Sequence, residues 1–193
     1  MNKRLTREFF TRPTLDVSKD LLGKFLIHEY HGKRIGGMIV ETEAYVGKED
    51  WASHSFGGRR TKRNEVEYGL GGHVYIYLVY GLHYQLNFVT AGVNEPECIL
   101  IRALRPTDGI EFMKKFRHTN KESNLTNGPG KLCQALKLDK SFYGYDICQK
   151  NAKLYVEDRG IKISAKQIKK GPRVGIDYAG PKWSKVPWRF YIS

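Results

Sequence analysis

Met38-Ile39-Val40-Glu41-Thr42-Glu43-Ala44-Tyr45 is the stretch on which the rest of the chain is arranged. With Ile35-Gly36-Gly37 before it, it is apolar on both parities until it turns acidic, the pattern of a buried strand. Strand alternation puts Glu41, Glu43 and Tyr45 on one face. Carboxylates beside a core are expensive unless they are paired, solvated or used in chemistry. Glu43 is therefore either one half of a structural ion pair or an acid/base group.

Upstream, residues 13–22 have the apolar spacing of a helix, with Gly23 as its stop. Residues 24–30 alternate as a strand, and His31-Gly32-Lys33 turns that strand into the Met38 stretch. Downstream, residues 45–72 read mostly as a loop carrying His54, Gly57-Gly58 and the basic run Arg59-Arg60-Thr61-Lys62-Arg63. So long a loop is either functional or disordered. A hairpin follows. Val74, Ile76 and Leu78 alternate with Tyr75 and Tyr77, the turn falls at Tyr80-Gly81, and residues 82–89 return. Leu82, Tyr84, Leu86 and Phe88 share one parity and Asn87 the other.

Residues 98–103 form another buried strand, interrupted by Arg102. Residues 107–116 read as a helix with Thr107 as N-cap. Asn127-Gly128-Pro129-Gly130 leads into a helix at Lys131–Leu136, as an anion cradle or as a plain loop. The remainder reads as short strands at Val156, 173–176 and 189–192 around a helical segment at 164–170. No repeat or break in composition divides the chain, which reads as one α+β domain over residues 1–193.

The 33 Lys+Arg against 20 Asp+Glu give a formal charge of +13. With no apolar run long enough to span a bilayer, such a surplus points to a polyanionic partner, most simply nucleic acid, or to a merely basic surface. Cys98, Cys133 and Cys148 are odd in number and widely spaced, which argues against a disulfide framework or zinc site and for a reducing, cytoplasmic setting. The first residues lack the apolar core of a signal peptide. No cofactor or metal motif is present, and a monomer is expected.

Tyr45, His54 and Tyr77 are flat side chains, readable singly as core and together as a slot for a planar base. Tyr80 at a hairpin tip either folds back under its turn or inserts into a duplex. The basic run is a solvated loop or a phosphate contact. Scattered acids (Glu41, Glu43, Glu49, Asp50) with His54 offer a rival metal-dependent nuclease site, although their loop spacing is poor for it. A non-catalytic nucleic-acid-binding module is a second rival.

An ordered set of pieces resembles the alkyladenine (methylpurine) DNA glycosylase family. It comprises Ile39–Tyr45, Glu49-Asp50, Ala52–Ser55, Gly57-Gly58-Arg59 with Thr61 and Arg63-Asn64, and Val74–Tyr77 with Tyr80-Gly81. Asn87, Leu100–Leu104, Asn127-Gly128-Pro129 and Lys131–Leu136 complete it. The resemblance implies a curved antiparallel sheet with flanking helices and a hairpin that enters the minor groove. It implies excision of damaged purines from double-stranded DNA by base flipping and hydrolysis of the glycosidic bond. By the same resemblance Glu43 activates a water, Arg102 helps position it, and Tyr45, His54 and Tyr77 grip the base. Asn87 disfavours normal guanine, Tyr80 intercalates, and Arg59, Thr61 and Arg63 hold phosphates. Leu82-His83 depart from the pattern beside Tyr80, and the lack of the animal members' N-terminal extension points to a bacterial source.

Overall fold

The computed structural model describes residues 3–192. One open antiparallel sheet runs through it, built around the acidic strand of the sequence. That strand, β3 (Lys33–Val46), is fourteen residues long. It follows β2 (Phe25–Tyr30) through a tight turn whose residues His31 and Gly32 both have positive φ. β3 pairs with β2 over its first half, while β6 (Glu97–Asp108) lies along its other edge. Beyond β6 come β5 (His83–Thr90) and the edge strand β4 (Val74–Val79). On the opposite flank β2 pairs with β7 (Leu154–Asp158), which pairs with the two-residue β1 (Lys3–Arg4). Two short late strands, β8 (Lys169–Gly171) and β9 (Arg189–Tyr191), pair together, and β9 lies on β3 at Glu41–Glu43.

Register along β3 and β6 shifts at Gly36/Gly37, Ile39/Glu41 and Glu41/Thr42. Such irregularities re-aim side chains and bend the strand that carries them. The close strand packing here also explains the glycines. A Cβ on Gly36 would sit 2.1 Å from the Leu26 carbonyl oxygen, and one on Gly37 would sit 2.3 Å from that of Arg105.

One sheet face is dry. Ile99, Ile101, Leu86, Phe88, Val74 and Ile76 meet α2 (Thr14–Asp20) and α4 (Pro129–Ala135) there. Each fully buried leucine in this layer, such as Leu86 or Leu132, contributes about 1.5–3 kcal/mol. Within it Thr42 accepts from the Ser18 hydroxyl at 2.9 Å and donates to the Ser18 carbonyl at 2.9 Å, which ties α2 to β3. The remaining helices are α1 (Arg7–Phe10), α3 (Ile110–Arg117) and α5 (Gly180–Trp183).

Three local expectations change. Thr107 does not cap α3: it stays in β6, donates its hydroxyl to Asp108, and leaves the turn into the helix to Gly109 at φ 65°. Residues 164–170 form only the 3₁₀ turn Ala165–Gln167 before β8. Residues 173–176 are not a strand but a loop over the sheet's polar face. No helix among the described residues is long and apolar enough to cross a membrane.

Candidate functional site

The sheet's other face holds the site, and strand register explains its floor. Glu43 on β3 lies opposite Leu100 on β6, Leu100 opposite Asn87 on β5, and Asn87 opposite Tyr75 on β4. Directly paired residues share a sheet face, so these four form one transverse row, about 14 Å long at the usual strand spacing. Alternation places Tyr45, Tyr77, Cys98 and Arg102 on that same face. A cavity of about 530 Å³ opens above it, lined by Tyr45, His54, Tyr77, Asn87, Arg102 and the tip residue Tyr80 among others.

Glu43 is fully buried one side chain below the cavity surface. Its Oε1 accepts from the Val174 backbone N–H at 2.7 Å and lies 3.4 Å from Arg102 Nη1. Its Oε2 accepts from the Tyr45 hydroxyl at 3.0 Å. Arg102, Val174 and Tyr45 all line the cavity. Burial raises the Glu43 pKa, and Arg102, the Val174 amide and the Tyr45 hydroxyl pull against that rise. Burial, reinforced by the Glu43 charge, drives the Tyr45 phenol well up, so it stays a neutral donor. Glu41 shares Arg102 with Glu43: its Oε1 accepts from Arg102 Nε at 3.1 Å and Arg189 Nη1 at 3.0 Å.

The aromatic wall is one connected group. His54 and Tyr77 meet edge to face at 4.8 Å between centroids, and Tyr75 and Tyr77 at 5.1 Å. His54 Nδ1 is 2.7 Å from the Tyr75 hydroxyl. Burial, with the Arg63 and Arg59 charges, lowers the His54 pKa to about 4, leaving a neutral ring at physiological pH. Asn87 is buried and fixed, donating from Nδ2 to the carbonyls of Tyr75 and Gln85 at 3.1 and 3.3 Å.

The basic run is divided in its contacts. Arg63 lies over the Tyr77 ring, 4.8 Å from its centroid, and reaches the cavity. Arg59 is exposed, whereas Thr61 donates its hydroxyl locally to Asn64 at 2.8 Å. Tyr80 stands clear of the body at 91% exposure, at φ 53° beside Gly81 at φ 67°. The acids of the nuclease reading are dispersed: Glu41 and Glu43 bind Arg102, and Asp50 binds Arg173.

The sequence model of a family described as methylpurine-DNA glycosylase (MPG) matches residues 8–193. Three bacterial relatives carry the name "Putative 3-methyladenine DNA glycosylase". One from Desulfitobacterium hafniense is 48% identical and covers 99% of this chain and 96% of its own. One from Bacillus cytotoxicus is 45% identical, covering 96% and 94%. One from Clostridium novyi is 42% identical, covering 99% and 96%. The chain belongs to the methylpurine-DNA glycosylase family. As a methylpurine-DNA glycosylase family member it is a hydrolase, and its macromolecular partner is DNA.

Several residues around this cavity escape a reading of periodicity. Arg173 is buried and grips Asp50 with two nitrogens, at 2.5 and 2.8 Å, while also donating to the Ala44 carbonyl at 2.9 Å. Its guanidinium lies 4.7 Å from the Tyr45 ring centroid. This anchor holds the loop that delivers the Val174 amide to Glu43. Asp50 also accepts from the amides of Val46 and Ala52 at 3.1 Å each. Glu67, inside what reads as a polar loop, lines the cavity although 99% of its surface is covered. A backbone donor has no side-chain signature, and the Asp50–Arg173 pair spans 123 positions, so local patterns are silent on both.

Proposed function

We propose that this chain excises alkylated purines, 3-methyladenine among them, by rotating the damaged nucleotide out of duplex DNA and hydrolysing its glycosidic bond. The carrying observation is a fully buried carboxylate, Glu43, held by two hydrogen-bond donors and an arginine that themselves line a ring-walled cavity. In this reading Glu43 takes a proton from water as that water attacks the anomeric carbon, and Arg102 orients both. Such general-base help is worth about 10²–10⁴-fold. The Arg102 charge and the Val174 and Tyr45 donors favour its ionised form, which is the form that accepts a proton.

Tyr45, Tyr77 and His54 would hold the flipped base by stacking, and a cationic alkylated base gains cation–π attraction from the tyrosines. A neutral His54 is suited to this because it does not repel that cation. Asn87, immobilised from beneath, would crowd the exocyclic amine of ordinary guanine. Extrusion costs a few kcal/mol, and less where damage weakens pairing. Tyr80, free of the protein body, would fill the vacated stack and return roughly 1–3 kcal/mol. Arg59, Thr61 and Arg63 would hold backbone phosphates beside the slot. The protein would act as a monomer on nucleoid DNA in the cytoplasm. Hypoxanthine and other neutral lesions belong to the same reading, with protonation of the leaving base as an added requirement.

The test is direct. Methylated duplex DNA is incubated with the protein, and free base is measured together with alkali-labile abasic sites. Release by the wild type and its loss in Glu43→Gln, with damaged-DNA binding retained, is the expected result. Binding without any released base would reduce the protein to a cationic DNA binder.

A further inference from the structure

Glu67 is a buried carboxyl that lines this cavity, and the proposed reaction does not use it. Its Oε1 accepts from the Cys98 thiol at 3.3 Å. Its Oε2 has no hydrogen-bond partner among the described residues. The nearby Asn64 amide donates to the carbonyls of Arg59 at 2.9 Å and His54 at 3.4 Å, and acts on Glu67 only weakly beside them. A buried polar oxygen left unsatisfied destabilises a fold, so one that lines a cavity is placed to meet something that enters it.

Its position within the slot follows from β6. Cys98, Leu100 and Arg102 alternate onto the same face, with Cys98 touching Glu67 and Arg102 touching Glu43. Four residues of strand separate those contacts by about 13 Å. Glu67 therefore lines the cavity at a point removed along β6 from Arg102, whose partner Glu43 lies fully buried beneath the lining.

We infer that Glu67 is a specificity-determining residue: its free oxygen meets the edge of the base remote from the sugar and favours positively charged, N-alkylated purines over neutral ones. The inference rests on the cavity being the base-binding slot. An ionised Glu67 attracts a cationic purine or an N–H donor and repels a carbonyl edge. A protonated Glu67 loses the attraction to the cation and can donate to a carbonyl.

Burial raises the Glu67 pKa to about 7, against the Cys98 thiol, the Asn64 side chain and the Arg63 charge, so both forms occur near neutrality. The groups around it are Cys98 on β6, Tyr75 and Tyr77 on β4, Asn87 on β5, and His54, Asn64 and Arg63 from the loop. Burial raises the pKa of Cys98, Tyr75 and Tyr77 and lowers that of His54, so Glu67 is the group here that changes charge near neutral pH.

The experiment measures single-turnover release of 7-methylguanine, a cation in DNA, and of hypoxanthine, a neutral base, across the neutral pH range. Wild type, Glu67→Gln and Glu67→Met are compared after thermal melting has shown which variants fold; the near-isosteric Glu67→Gln suffices alone. The wild-type ratio of cationic to neutral release is expected to rise on the order of tenfold as pH passes through about 7. In Glu67→Gln the ratio is expected to be lower above that pH and flatter, because other pH-dependent steps are common to both proteins. Equal ratios in wild type and Glu67→Gln at every pH, or equal slowing of both bases, would overturn the inference while leaving the glycosylase reading standing. Failure of the wild type to release either base would overturn that reading, and this inference with it.

Discussion

Three partners reach Glu43 from well-separated parts of the chain: the Tyr45 hydroxyl two residues away, the Arg102 charge on the neighbouring strand, and the Val174 amide 131 positions on. Removing the charge while keeping the shape, as in Glu43→Gln, should lower single-turnover excision by at least about 10²-fold with binding intact. Because its pKa is raised, the acid limb of the wild-type rate profile should lie above the ordinary glutamate value of about 4.3. The sign for stability is opposite. A carboxyl raised on folding binds more protons in the native state, so its contribution falls as pH rises through the interval between its two pKa values. Glu43→Gln should accordingly melt no lower than wild type at neutral pH. The Asp50–Arg173 pair behaves differently, since deleting one partner strands a buried charge. Asp50→Ala should cost about 3–5 kcal/mol in urea unfolding. Arg173→Met should also slow excision through loss of the Val174 amide's position, and full activity in a folded Arg173→Met would refute that link.

Among the elements, the β4–β5 hairpin carries the clearest division of labour. Leu86 and Phe88 bury under the sheet, Tyr75, Tyr77 and Asn87 line the site, and Tyr80 stands exposed in the left-handed region of φ. A bulky residue there is strained, whereas asparagine tolerates that conformation better. Tyr80→Asn should keep or slightly raise the melting temperature yet weaken flipping, read with a fluorescent base analogue in the duplex. Unchanged flipping would remove Tyr80 from the proposed step. This hairpin is legible in the sequence because alternation and the Tyr80-Gly81 pair are local signals. So is β3, where two acids interrupt an apolar run. The start of α3 is not, because Thr107 mimics a cap while the strand continues to Asp108 and Gly109 makes the turn. The loop at 173–176 mimics a strand because Val174 and Ile176 alternate, although long-range ion pairing rather than sheet bonding holds it. Residues 45–72 look structureless by pattern, yet they are folded by hydrogen bonds accepted by Asp50 and donated by Asn64 and Ser55 that leave no periodic trace.

Across the whole molecule, the surplus of 33 basic over 20 acidic residues sets how binding responds to salt. Each phosphate that the protein no longer neutralises should reduce the log–log salt slope by about 0.9. Replacing Arg59 and Arg63 together with alanine should flatten the slope by up to twice that amount. A slope equal to wild type would make these arginines part of a solvated loop. The loop that caps Glu43 has a different consequence, one of timing. Val174 and Arg189 lie in the last fifth of the chain, and the first of them is translated 131 residues after the carboxylate it contacts. At about 5–20 residues per second, that interval lasts roughly 7–26 s. On the proposed reading, a growing chain carries Glu43 long before the amide that holds it, so base release is expected only once synthesis is nearly finished.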